Sequence, residues 1–194
     1  PNTECRHEHN YTPLLAAVTK GNVAAAELLI DNGADKYAKV GEATALFYAL
    51  GYNNLPMTKM LLDNGVDPER DAFKGGLTAV MWAANLNKPD LVREVVRHGG
   101  DLSRRNPRDN RKAADYALNN GKDWLAKEID ALEQRQKDDA ARKKIEDEIR
   151  LTEEKRQRDQ AALDMICNAG IPVVRDVAIL RPLKYKKTTA PKRV

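Results

Sequence analysis

The chain predicts an all-α fold: a helical solenoid of helix–turn–helix repeats with projecting loops, then a long charged helix and an extended basic C-terminal tail. Three observations predict it. A segment opening Thr12-Pro13-Leu14-Leu15-Ala16-Ala17 and closing Leu28-Leu29-Ile30-Asp31-Asn32-Gly33-Ala34-Asp35 recurs from Thr44 to Asp67 and from Thr78 to Asp101, and a fourth copy opens at Lys112 without closing. The openings are 32, 34 and 34 residues apart, and a fixed period of this size marks stacked supersecondary units. Residues 133–160 contain no Gly or Pro and eighteen of the twenty-eight are charged, the composition of a solvated helix. The expected divisions are a lead-in at 1–10, the repeat array at 11–132, the charged helix at 133–168, and an extended apolar segment with a basic tail at 169–194.

Composition agrees with a repeat array. Apolar residues make up 42% of the 194, aromatics only 5% and charged residues 32%, which suits closely packed small-residue helices rather than one large core. No apolar run approaches the ~18–20 residues that span a bilayer as a helix. The net charge of +4 is concentrated at one end. Residues 1–132 are nearly balanced, 133–160 hold nine charges of each sign, and the last fourteen hold Arg181, Lys184, Lys186, Lys187, Lys192 and Arg193 with no acid. The chain begins at Pro1 rather than Met, so the expectation is a processed or trimmed N-terminus whose missing leader says nothing about compartment. A cytoplasmic location is the default, and an exported or periplasmic one stays open.

The lead-in Pro1 to Asn10 is polar and expected to be irregular. It carries Cys5, His7 and His9, but structural zinc sites need four ligands in paired clusters. The only other Cys and His are Cys167 and His98, so neither a metal site nor any cofactor is expected. A Cys5–Cys167 disulfide stays open for an exported protein.

Each repeat reads as two short antiparallel helices. Thr12 suits a helix N-cap with Pro13 as first residue, where the missing donor does no harm. Leu14, Ala17 and Val18 form a buried stripe. Gly21-Asn22 breaks the chain, Val23 to Asp31 form the second helix with Leu28 and Leu29 inward, and Gly33 ends it. Pro56 and Pro89 start the later second helices, whose apolar pairs are Leu61-Leu62 and Val95-Val96.

On these residues the chain resembles an ankyrin-repeat protein over roughly residues 10–132. The family's T-P-L-H-x-A-A, its glycine, its apolar pair and its G-A-D are met with few departures: Ala45, Ala79 and Ala113 replace the Pro, and Leu15, Phe47, Met81 and Asp115 replace the His. Lys112 stands where a capping Thr is expected, marking a divergent end unit. The resemblance implies protein partners held by projecting loops and the concave first helices, with no small-molecule substrate. Carried onto this chain, the loops are 36–43, 68–77 and 102–111, with candidate partner-binding residues Lys36, Tyr37, Lys39, Arg70, Phe73, Lys74, Arg104, Arg105 and Arg108. The concave helix ends add Tyr52 and Leu86. Tyr48, Trp82 and Tyr116 share one repeat position, and the family normally buries it, so core packing is favoured over a base-stacking platform. Arg104, Arg105, Arg108, Arg111 and Lys112 form the one basic cluster of the array.

No catalytic constellation is present: no phosphate-binding glycine loop, no G-x-S-x-G, no H-E-x-x-H. A non-enzymatic protein is therefore expected. From Asp123 the last repeat's second helix (Trp124, Leu125, Ile129, Leu132) has no stop signal, so a helix over 123–167 is expected. The spacings Glu133–Lys137, Asp138–Arg142, Asp139–Lys143, Glu146–Arg150 and Glu154–Arg158 place opposite charges one turn apart. A coiled-coil stripe at Ile145, Ile149, Thr152, Arg156, Asp159, Leu163 and Ile166 has three polar members, so a solvent-exposed strut is favoured over a dimerising coil. After Gly170 an apolar, β-branched segment bounded by Pro172 and Pro182 reads as extended. Its Val173, Val174, Val177, Ile179, Leu180 and Leu183, with Tyr185, are candidate docking residues for a partner. The expected function is a protein-binding scaffold or adaptor, the array engaging one partner and the helix and C-terminal segment tethering it to another protein or a larger assembly. The alternatives are a secreted effector or inhibitor acting through the concave face, and a protein that meets nucleic acid or an anionic membrane through the basic tail.

Overall fold

The sequence period becomes four pairs of helices: α1 (Pro13–Thr19) and α2 (Val23–Asp31), α3 (Ala45–Gly51) and α4 (Leu55–Asp63), α5 (Ala79–Asn85) and α6 (Pro89–Arg97), and α7 (Ala113–Asn119) and α8 (Asp123–Asn168). The computed structural model describes residues 12–41, 43–70 and 75–169. Cys5, His7, His9, Phe73, Lys74 and the candidates Val173, Val174, Val177, Ile179, Leu180, Leu183 and Tyr185 lie outside the described residues. Among the described residues there is no strand, only an isolated antiparallel bridge between Val40 and Ala43 in the first loop.

The same local chemistry starts and stops each of the first three pairs. The hydroxyls of Thr12, Thr44 and Thr78 accept from the backbone N–H of Leu15, Phe47 and Met81 at 3.3, 3.4 and 3.3 Å, satisfying donors that a helix start otherwise leaves orphaned. Asn22 and Asn54 do the same for α2 and α4, accepting from Ala25 and Met57 at 3.1 and 3.0 Å. Gly33, Gly65 and Gly99 end the second helices at φ of 80°, 71° and 93°, a region that side chains with a Cβ rarely enter. Asp35, Asp67 and Asp101 then turn the chain outward. Each carboxylate accepts from the N–H two residues on, at 2.9, 2.8 and 2.8 Å from Tyr37, Glu69 and Ser103, the side-chain mimic of a backbone turn.

The first helices α1, α3, α5 and α7 stack in one row, α2, α4 and α6 stack in a second, and α2, α4 and α6 each lie on their own first helix. Leu15, Leu50, Leu61, Met81, Leu91, Val95, Leu125 and Ile129 are fully buried in a single continuous core, each contributing about 1.5–3 kcal/mol of hydrophobic stabilisation. Gly76 also serves the packing. Its φ is +79°, and a Cβ there would lie 2.9 Å from the Asn106 side-chain oxygen, so glycine lets the third loop settle against the second.

One expected core residue is not in the core. Leu28 is 64% exposed, not inward. In repeat register it corresponds to Met60 and Glu94, which are 7% and 6% exposed. That position faces the preceding second helix, as His98 of α6 shows by reaching Asp63 of α4 at 2.9 Å. No second helix precedes α2 among the described residues, so Leu28 is left uncovered. Leu29, in register with Leu61 and Val95, is the residue that turns to the core.

The fourth pair departs twice from the pattern, and its two departures meet. Lys112 replaces the capping Thr, and Glu133 stands where Gly33, Gly65 and Gly99 stop the other second helices. Without a glycine α8 continues for 46 residues, about 70 Å of helix. Lys112 offers α7 no side-chain acceptor, and Asp115 instead accepts from the Lys112 N–H at 2.8 Å. The freed Lys112 ammonium donates to Glu133 at 3.1 Å, and Lys137 reaches the same carboxylate at 2.6 Å. Gln136 adds a second tie, donating to the Gly100 carbonyl at 2.8 Å and accepting from Leu102 N–H at 3.4 Å. The compact unit that contains the array ends at Ala140.

From Ala141 the chain forms a second unit, whose described part is the remainder of α8 and is almost wholly exposed. The charge lacing there differs from the expected one. Arg150 takes Asp147 at 2.7 Å rather than Glu146, and Glu154 and Arg158 show no ion pair among the described residues. Exposed pairs are worth at most about 1 kcal/mol, so side-chain entropy readily chooses between alternatives.

Candidate functional site

Three loops and the ends of the first helices hold the candidate partner-binding residues, and the structure treats the two groups differently. Most loop side chains turn onto an adjacent repeat or their own loop. Lys36 donates to the Asn64 and Gly65 carbonyls at 2.8 and 2.9 Å, neutralising the negative end of α4. The Tyr37 hydroxyl accepts from Asp67 N–H at 3.1 Å, and in the next repeat the Glu69 carboxylate accepts from Asp101 N–H at 3.0 Å. This is one bond repeated at one position. The Arg70 guanidinium lies 3.7 Å over the Tyr37 ring, a stacked cation–π contact. Arg104 pairs with Glu69 at 2.9 Å, and Arg105 donates to the Asn110 carbonyl at 2.8 Å. Lys39 is exposed and also holds an intramolecular partner. Arg108 is exposed, and its backbone N–H, not its guanidinium, is tied down, to Asn106 at 2.9 Å.

The third loop is fixed to α7 by a polar cluster. Tyr116 accepts from the Asn106 amide at 2.7 Å and donates to Asp109 at 2.8 Å. Burial pushes the Tyr116 hydroxyl above its ordinary pKa, and the Asp109 charge adds to that, against the lowering by Asn106. Partial burial raises Asp109, but hydrogen bonds from Tyr116 and the Arg111 N–H outweigh it and leave the carboxyl below its usual value. The basic cluster therefore has much of its charge and its backbone fastened within the array.

The helix ends are another matter. Lys20, Tyr52, Leu86 and Asn120 are the C-caps of α1, α3, α5 and α7, so one repeat position forms a row along the stacked first helices. Asn120 is tied to the Asn85 carbonyl at 2.8 Å. Tyr52 is 60% exposed and lies on Tyr48, with ring centroids 6.3 Å apart and planes at 18°. Tyr48 meets Phe47 edge-on at 6.1 Å, and Phe47 stacks on Trp82 at 5.1 Å and 17°. Four rings thus run in contact from solvent into the α3–α5 interface, with half-buried Leu86 one turn beyond Trp82. The Trp82 indole N–H is buried without an acceptor. The arrangement offers an apolar, rigid aromatic surface and no nucleophile or general base.

Tyr48 and Trp82 are half-buried and Tyr116 is buried, as a core position requires. Phe47, which connects Tyr48 to Trp82, stands in the sequence only as a replacement for the motif histidine and not as a binding candidate, because its spacing from Trp82 carries no periodic signal. Glu133 had a signal, since it falls at the repeat position of three glycines. Its carboxylate is pushed up by burial but pulled further down by Lys137 and Lys112, ending below its ordinary value.

A family model described as ankyrin repeats (3 copies) matches residues 1–72. An ankyrin repeat protein of Acanthamoeba polyphaga mimivirus is 39% identical over 83 residues, covering 41% of this chain and 51% of the relative. The chain thus spans about half the length of the curated relative it matches. The N-terminal part of the chain carries ankyrin repeats, as the resemblance implied. Such repeats are in general protein–protein interaction modules and in general non-enzymatic.

Proposed function

We propose that the chain is a protein-binding adaptor whose array engages a protein partner through the aromatic end of α3, and whose C-terminal part tethers that partner to a second protein. One observation carries the first half. Tyr52 is 60% exposed at the head of a contiguous ring stack, while the loop cations Lys36, Arg70, Arg104 and Arg105 are engaged within the chain. A rigid aromatic with few rotatable bonds loses little entropy on docking, which is why tyrosine dominates many interface hot spots. The partner is therefore expected to bring an apolar or aromatic side chain to Tyr52 and Leu86, with Lys20, at the same repeat position of α1, on the polar side. The tether rests on the amino-acid pattern of Ile171 to Leu183, an apolar segment between prolines.

Affinity capture tests both halves, using the full chain, residues 1–140 and residues 141–194. The division follows Gln136 and Lys137, which hold α8 to the array. A protein retained by the full chain and by 1–140, and lost on Tyr52→Ser, supports the array reading; retention unchanged by Tyr52→Ser and Leu86→Ser together refutes it. A different protein retained by 141–194 supports the tether. If the full chain captures a protein that neither piece retains, the two-ended arrangement is wrong.

A further inference from the structure

Beyond Ala140, α8 carries Ile145, Ile149, Thr152, Arg156, Asp159, Leu163 and Ile166 at alternating spacings of four and three, which returns them to one side of a helix. Ile145, Ile149 and Ile166 are exposed there. Arg156 and Asp159, at the middle of the stripe, hold no ion pair among the described residues. In a parallel pair of such helices each residue meets its own copy, so Arg156 faces Arg156 and Asp159 faces Asp159. Both layers are repulsive. In an antiparallel pair the same stripe sets Ile149 against the second copy's Ile166, Thr152 against Leu163, and Arg156 against Asp159, each contact occurring twice by symmetry. Every charge in the seam then meets its opposite, and the isoleucines meet at both ends. Sliding the helices by one heptad in either direction would set Asp159 against Ile149 or Leu163, burying a charge on an apolar residue. Charge complementarity thus selects one orientation and one register.

We infer that α8 pairs with α8 of a second copy of this chain as a short antiparallel coiled coil through this stripe. Polar layers specify alignment at the expense of stability, and with two of six layers charged the pairing is a reversible one. The dimer joins two arrays in one particle and makes partner binding bivalent. It stands apart from the array reading: its failure leaves the role of Tyr52 untouched, and loss of partner capture leaves the dimer untouched.

Sedimentation equilibrium of the full chain, with Cys5 and Cys167 replaced by Ser, tests it over about 1–200 µM. The expected result is a monomer–dimer equilibrium, with Arg156→Asp raising the dissociation constant at least about tenfold because Asp then faces Asp twice. Arg158→Asp, off the stripe, leaves it unchanged. For orientation, Thr152→Cys with Leu163→Cys forms a covalent dimer on oxidation, whereas Thr152→Cys alone does not, since the two copies of residue 152 lie about 16 Å apart along the axis. A monomer throughout the range, indifference to Arg156→Asp, or cross-linking by Thr152→Cys alone overturns the inference.

Discussion

Replacing Glu133 by Gln removes the charge that joins the unfinished fourth repeat to its own helix while keeping side-chain volume. Glu133 is 5% exposed and receives Lys112 at 3.1 Å and Lys137 at 2.6 Å. Deleting one member of a fully buried ion pair costs about 3–5 kcal/mol. Here the Lys112 and Lys137 side chains are 28% and 56% exposed, so water screens both, and Gln still accepts one hydrogen bond. The loss expected is about 1–2 kcal/mol, a fall of about 3–8 °C in Tm for a unit of this size. Thermal unfolding of the full chain measures it, and amide hydrogen exchange locates it, with protection lost at Leu102 and the first turn of α7. Glu133 sits below its ordinary pKa in the folded chain, so its contribution is present above the unfolded carboxylate range and is lost as pH falls through the folded value. The gap between wild type and variant is therefore full near neutrality and closes on acidification. If Glu133→Gln perturbs stability no more than Glu146→Gln on the exposed stretch of α8, the account of the joint is wrong.

Two further outcomes follow from burial and charge. Leu61→Ala is expected to cost about 2–5 kcal/mol because Leu61 is fully buried, whereas Leu28→Ala changes stability by less than about 0.5 kcal/mol; comparable urea midpoints for the two variants would restore Leu28 to the core. His98 lies between α6 and α4, and the Glu94 carbonyl and the Asp63 carboxylate raise its pKa above the ordinary histidine value against partial burial. Its stabilisation is complete below the unfolded pKa and is lost as pH rises through the raised folded one. The gap between wild type and His98→Asn should accordingly be largest in mildly acidic buffer and shrink towards alkaline pH; a gap that grows with pH contradicts the geometry.

The amino-acid order by itself determined the repeat and its boundaries, because the signals that make each helix pair are local. A threonine caps three residues ahead, a glycine at positive φ ends a helix, and an aspartate turns the chain two residues on. Thr12, Gly33 and Asp35 were legible for that reason, and so was α8, whose missing stop is a fact about composition. What the tertiary structure decided depends on neighbours a whole repeat away. Leu28 reads as core until one knows that no second helix among the described residues covers it. Lys36, Arg70 and Arg104 read as free loop cations until an adjacent repeat, the next for Lys36 and the preceding for the two arginines, presents the carbonyls, ring and carboxylate that take them. Phe47 gains its place only when Trp82, 35 residues on, is stacked against it. Lys112 and Glu133 looked like two separate failures of the pattern. They are 21 residues apart in the chain and in contact in the fold, where a lost cap and a lost stop become one ion pair.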